Sequence, residues 1–171
     1  MPNWCSNRAT ISGPAPVIAE ITEILNQEDT PLLAWMVPRP KFEGDSDWYQ
    51  WNVNNWGTKW DISDVYFEHQ AEEDSITFEF CTAWGPCVEA FHTWAEQDGR
   101  VQFTLEYWEP GMGFVGRTKW DGESLSEDHR DHQSDSQGYR EMAEEVFGYV
   151  EEDEEPLTEW YTQGVKDKGL A

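Results

Sequence analysis

Basic residues are scarce in this chain. Eleven Lys and Arg stand against 35 Asp and Glu, a formal charge of −24 over 171 residues. Phosphate contacts need clustered Lys and Arg, so direct binding to nucleic acid is not expected, and an anionic membrane surface is equally disfavoured. Cysteine is nearly missing too. The three thiols, Cys5, Cys81 and Cys87, make an odd count, and no neighbouring Lys, Arg or His acts to lower a pKa. They are expected to be reduced, packed thiols of a cytoplasmic protein. No stretch approaches the roughly 18 apolar residues of a membrane helix, and the start, Met1 to Arg8, lacks the apolar core of a signal peptide. Aromatics are the exception to this poverty, at 15% with 11 Trp. Disordered acidic chains are poor in such residues, so most of the chain should fold.

The charge is unevenly placed. Residues 1–120 hold 19 acidic and seven basic side chains, whereas residues 121–160 hold 15 and two. This shift divides the chain into a domain at 1–120 and an acidic extension at 121–171, expected to pack on it. Within the domain the hydrophobic period alternates between two and 3.6. Cys5, Ala9 and Ile11 alternate as a strand does. After Gly13-Pro14-Ala15-Pro16, the residues Val17, Ile18, Ile21, Ile24 and Leu25 share one helical face. Residues from about 31 to 62 read as a Trp-rich insertion, with a short helix around Trp48, Trp51 and Asn55. Val65 and Phe67, then Ile76, Phe78 and Phe80, read as a β-hairpin. Pro86 opens a second helix with Val88, Phe91 and Ala95 inward, ended by Gln97-Asp98-Gly99. Val101, Phe103, Leu105 and Tyr107 form the cleanest strand. Glu109-Pro110-Gly111 reads as a tight turn, with one more strand over Met112 to Trp120.

The order β-α-β-β-α-β is the split β-α-β arrangement: an α+β fold with an antiparallel sheet and two helices on one face. In the extension, Glu123 to Gln137 contains one large apolar residue, Leu125, and is expected to be a solvated connection. Tyr139, Met142, Val146, Phe147 and Val150 then form a helical stripe that should dock, with Glu141, Glu144 and Glu145 facing out.

Several segments carry a likeness. Met1-Pro2-Asn3-Trp4-Cys5-Ser6-Asn7, Asn55-Trp56-Gly57-Thr58-Lys59-Trp60-Asp61, Thr82-Ala83-Trp84-Gly85-Pro86 and Leu105 to Phe114 resemble, in order, motifs of the Api92-like (YubB-type) family of phages and plasmids. The helix Tyr139 to Gly148 is similar to that family as well. The resemblance implies a ferredoxin-like fold and a mobile-element origin. It brings no catalytic residues.

Enzyme chemistry finds little support in the residues. With 35 acids, carboxylate pairs occur by chance, and no nucleophile elbow or Walker loop is present. His129 and His132 lie three apart near Asp128 and Asp135, but in a polar segment with no apolar frame to hold a metal. No cofactor is expected. Most tryptophans should fill the core, with a smaller set marking a protein-binding patch. The charge remains. Duplex DNA carries one negative charge per ~1.7 Å of axis, and helical residues rise by ~1.5 Å, so an acidic helix approaches that density. The expected function is a non-enzymatic accessory protein that binds and inhibits a host or defence protein with a basic nucleic-acid-binding surface. It would act as a DNA mimic of anti-restriction or anti-CRISPR type. The expected contacts are Glu141, Glu144, Glu145, Glu151, Glu152, Asp153, Glu154 and Glu155, with Trp160 as an aromatic anchor. One alternative is a small-molecule site or enzyme using a pocket beside the Trp-rich insertion, with Asn54, Asn55 and Lys59. Another is a structural, oligomeric accessory role.

Overall fold

The structure is a computed structural model, and it describes residues 3–42, 47–66 and 73–148. Its strands are β1 (Trp4–Ser12), β2 (Ser63–Tyr66), β3 (Ser75–Ala83), β4 (Gln102–Glu109), β5 (Phe114–Trp120) and β6 (Leu125–Asp131). The helices are α1 (Ala15–Leu25), α2 (Leu32–Met36), α3 (Asp47–Trp56), α4 (Val88–Asp98) and α5 (Ser136–Phe147). All six strands join one sheet in the order β2-β3-β1-β4-β5-β6, with every neighbouring pair antiparallel. The first four strands, with α1 between β1 and β2 and α4 between β3 and β4, make the split β-α-β pattern. The fold is ferredoxin-like.

One face of the sheet carries the main core. Cys5, Ala9 and Ile11 of β1, Ile76, Phe78 and Phe80 of β3, and Phe103, Leu105 and Tyr107 of β4 point to the same side. They pack against Val17, Ile18 and Ile21 of α1 and Ala90, Phe91 and Ala95 of α4. Each of these strands buries every second residue, because the face that meets α1 and α4 is fully covered and the other is covered less. The α2–α3 segment packs on the same side. Asp61 holds α2 by accepting from the Leu33 and Ala34 amides (2.8 and 2.9 Å), and the Trp56 indole donates to the Val37 carbonyl (2.9 Å). No helix among the described residues is long and apolar enough to cross a membrane.

The expected connection at Glu123–Gln137 is a correction. Residues 125–131 are a seven-residue edge strand of the sheet, β6, paired along its length with β5, and α5 begins at Ser136. The change of composition at Trp120–Gly122 falls in the β5–β6 turn, which Asp121 orders by accepting from the Glu123 and Ser124 amides. No side chain of β6 is buried, so it lacks the apolar alternation that marks β1, β3 and β4. Its charges suit an edge that must resist pairing with other chains.

The turn expected at Glu109 is present, and a carboxylate builds it. Glu109 is fully buried and accepts from the Gly111 and Met112 amides at 2.8 and 2.6 Å. Helix α5 starts at an Asp135 cap, whose side chain accepts from the Gly138 amide (3.0 Å), and stops at Gly148 in the left-handed region (φ 66°). Its stripe of Tyr139, Met142, Ala143 and Val146 packs with Val115 and Trp108 as a second, smaller core. Val115 and Trp108 point away from the main core. Helix α5 therefore lies on the sheet face opposite α1 and α4.

Candidate functional site

The acidic expectation centres on α5, and three of its carboxylates can be placed. Glu141, Glu144 and Glu145 are all exposed on the outer side of α5. Glu141 accepts from the Gln137 amide group (2.8 Å), and Glu145 pairs with Arg117 (3.0 Å). Glu151, Glu152, Asp153, Glu154, Glu155 and Trp160 lie outside the described residues. Counted along 121–148, nine acidic side chains face two arginines, Arg130 and Arg140.

Helix α5 is fastened to the sheet by charge as well as by its apolar stripe. A row of alternating sign crosses the sheet at one register: Glu79 of β3, Arg8 of β1, Glu106 of β4, Arg117 of β5 and Asp128 of β6 are successive cross-strand partners. Arg8 reaches Glu79 at 2.9 Å and Glu106 at 3.7 Å, and Arg117 reaches Glu106 at 2.7 Å and Glu145 at 3.0 Å. Opposite charges directly across a sheet stabilise it modestly. These pairs are partly exposed, so each is worth about 1 kcal/mol or less. Arg8 also donates to the Val146 carbonyl (2.7 Å) and lies over the Phe147 ring (5.6 Å). A cation there complements the C-terminal end of the α5 dipole. Hydrogen bonding to Glu145 and Glu106 raises the Arg117 pKa still further, so its charge is permanent. Between α5 and the β5–β6 ribbon runs a groove of about 350 Å³, lined in part by Arg117, Asp128, Arg130, Asp135, Glu141 and Glu145. Arg130 pairs across it with Asp128 (2.9 Å) and Asp135 (3.5 Å).

The face of β6 on the main-core side is different. The Tyr107 ring crosses Gly116, its partner in register, and its hydroxyl donates to Glu127 (2.8 Å) and lies 3.3 Å from His129 Nδ1. Burial, followed by the hydrogen bond to Glu127, pushes the Tyr107 pKa up, so the phenol stays protonated. His132 instead packs its ring edge-on to Tyr139 (5.2 Å). The two imidazoles thus meet different partners, and no group of three or more metal-ligating side chains occurs among the described residues. Cys5 and Cys87 are buried and Cys81 half-buried, and all three are free. Burial pushes Cys5 up to about 12 and raises Cys81 and Cys87, which suits packed thiols better than nucleophiles.

The three polar groups expected to line a pocket beside the Trp-rich segment each have partners nearby. Asn55 donates to the Trp51 carbonyl of its own helix, and Asn54 accepts from Gln50. Lys59 lies over the Trp60 ring (4.4 Å) and the Tyr49 ring (5.5 Å). The residue that fixes this loop, unnoticed in the sequence, is buried Asn52, which donates to the Lys59 carbonyl (2.7 Å).

Residues 56–156 match the family model described as the ferredoxin-like domain in Api92-like protein. The chain belongs to this family. The matched span runs from the end of α3 through α5, so the edge strand and the acidic helix are part of the family domain. The fold is also similar to the crystal structure of a protein api92 from Yersinia pseudotuberculosis, at 10% identity and a TM-score of 0.56, covering 76% of this chain and 98% of that one. That likeness speaks to fold alone. No curated protein matches the chain.

Proposed function

We propose that this Api92-like protein is a non-enzymatic, cytoplasmic accessory protein of phage or plasmid type. It would bind and inhibit a host or defence protein through that protein's basic nucleic-acid-binding surface. The observation that supports this most directly is the 121–148 region, where nine carboxylates against two arginines are carried by an edge strand, a helix and the turns that adjoin them, all fixed to one sheet. A rigid acidic surface accelerates encounter with a basic partner by roughly 10–10³-fold and loses that advantage in salt. DNA mimicry is the sharper form of the proposal. Glu141 and Glu144 are its best carriers, because Glu145 and Asp128 are partly neutralised by Arg117 and Arg130.

The test is capture of basic nucleic-acid-binding proteins from host lysate on the immobilised full chain, at low and high salt. The captured protein should be released by duplex DNA. Replacing Glu141, Glu144 and Glu145 with Gln should slow association about tenfold or more. Capture that ignores both salt and DNA would refute the proposal.

A further inference from the structure

A second surface, at one end of the sheet, is not explained by acidity. Trp4 begins β1, Trp60 follows α3 and Trp84 follows β3, yet all three are exposed, at 46, 40 and 44%. Named contacts set their backbone positions side by side. Trp4 is the register partner of Ala83, and the Trp84 amide donates to the Asn3 carbonyl (2.9 Å). Buried Thr58 donates to the Ala83 carbonyl (2.9 Å) and accepts from the Ala83 amide (3.1 Å), which fixes the loop that carries Lys59 and Trp60. The Trp4 and Trp60 rings lie 6.4 Å apart, and Tyr49, 44% exposed, adjoins them through Lys59.

Trp84 is the telling member. Its φ is +74°, the left-handed region that a bulky side chain rarely adopts. A strained backbone that leaves an indole half in water is poorly accounted for by stability. Such outliers cluster where a surface is used. The kind of partner follows from charge. A second copy at −24 would be repelled, as would a polyanion. Aromatic faces in this chain already seat cations: Lys59 on one face of Trp60, which leaves the other face of that ring for a visitor, and on Tyr49, Arg39 on Trp56 (5.4 Å) and Arg8 on Phe147. A guanidinium is planar and weakly hydrated and stacks on indole better than an ammonium does.

We infer that the Trp4–Trp60–Trp84 cluster is an anchor for an arginine-bearing segment of a basic protein, whose guanidinium groups stack on the exposed indoles. The inference rests on the proposed binding of a basic partner and adds where, and through which side chain, that partner is held.

The experiment titrates the full chain with two peptides of equal length and charge, one built on arginine and one on lysine. The arginine peptide should bind about tenfold tighter. Trp84→Asn, which the left-handed backbone accepts, and Trp60→Ala should each bring the two peptides close to parity. The unfolding midpoint of Trp84→Asn should stay near that of the parent, which separates lost binding from lost fold. Neutralising Glu141, Glu144 and Glu145 should weaken both peptides and leave the arginine preference intact. Equal affinity of the two peptides, or a preference that survives both Trp variants, overturns the anchor and leaves the acidic surface standing. Failure of either peptide to bind at low salt overturns both readings. Tighter binding of a neutral oligosaccharide, lost in the same Trp variants, overturns the anchor in favour of a glycan platform.

Discussion

Replacing Gly116 with Ala tests how the edge strand is held. Alanine is ordinarily the better strand residue, by about 0.5–1 kcal/mol, because glycine loses more backbone freedom on folding. Here a Cβ at position 116 would run into the Tyr107 ring, with Cε2 only 2.6 Å away. The ring must retreat by about 1 Å to regain ordinary carbon contact. It has little room, since Tyr107 is 1% exposed and its hydroxyl is committed to Glu127. Overpacking of this kind costs about 1–3 kcal/mol. A lost Tyr107–Glu127 hydrogen bond adds about 1 kcal/mol, at the low end because Glu127 is exposed to water. The net expectation is destabilisation by about 2 kcal/mol. With a urea m-value of about 2 kcal/mol/M, the midpoint falls by about 1 M. Hydrogen exchange should quicken first in β6, which Tyr107 ties to the sheet. Tyr107→Leu removes the obstructing ring, so in that background Gly116→Ala should cost nothing or stabilise. A Gly116→Ala protein as stable as its parent, or an equal cost in both backgrounds, would refute the close-approach argument.

Other consequences are testable in the same way. Arg8→Met keeps the aliphatic stem but removes the bonds to Val146, Glu79 and Glu106. It should cost about 1–2 kcal/mol and raise exchange at the C-terminal end of α5 ahead of β1, whereas uniform loosening would count against a fastening role. Asp61 is a carboxylate whose pKa burial raises, although amides of Leu33, Ala34 and Ile62 act to lower it. A raised native pKa adds stability as pH falls through it and on down to the ordinary carboxylate value of about 3.9. The stability advantage of the parent over Asp61→Asn should therefore widen on acidification, and a gap that stays flat or narrows would contradict it. Glu109→Gln turns an amide donor toward the Gly111 or Met112 amide and should cost about 1–3 kcal/mol. An unchanged midpoint would show that the turn does not depend on that carboxylate.

Much of the fold was legible because β1, β3 and β4 bury mainly one face. Cys5, Ala9 and Ile11, or Phe103, Leu105 and Tyr107, announce themselves by alternation, and the α1 face of Val17, Ile18, Ile21, Ile24 and Leu25 is buried as its spacing requires. β6 was not legible. Leu-Ser-Glu-Asp-His-Arg-Asp buries nothing on either side, so its strand state comes from pairing with β5 rather than from hydrophobic period. The α5 stripe was visible, but periodicity does not say which face of the sheet receives it. Glu141, Glu144 and Glu145 could be read as exposed from helical spacing alone. The Arg117 bridge to Glu145 could not, because it depends on a strand register. Nor does sequence distinguish a core tryptophan from an exposed one: Trp56, at the end of α3, is 2% exposed, whereas Trp84, just past β3 with a φ of +74°, is 44% exposed.

The placement of the few cations sharpens the functional proposal. Among the described residues, Arg8, Arg100, Arg117 and Arg130 are in ion pairs, while Arg39 and Lys59 lie on indole rings. Most of the arginine charge is therefore engaged in the chain's own contacts. The sheet face opposite the main core illustrates this. In RNA-binding domains of related architecture, an open sheet face offers aromatic side chains to bases. Here Trp108 donates its indole proton to Tyr139 beneath α5, and Arg8 and Arg117 are each flanked by two carboxylates. A base arriving there would meet a covered aromatic and guanidinium groups already engaged. What remains outward is mainly a surplus of carboxylates, which is the surface the proposed basic partner would complement. The same reasoning makes arginine, rather than a phosphate-bearing group, the expected visitor to the exposed tryptophans at the other end of the sheet.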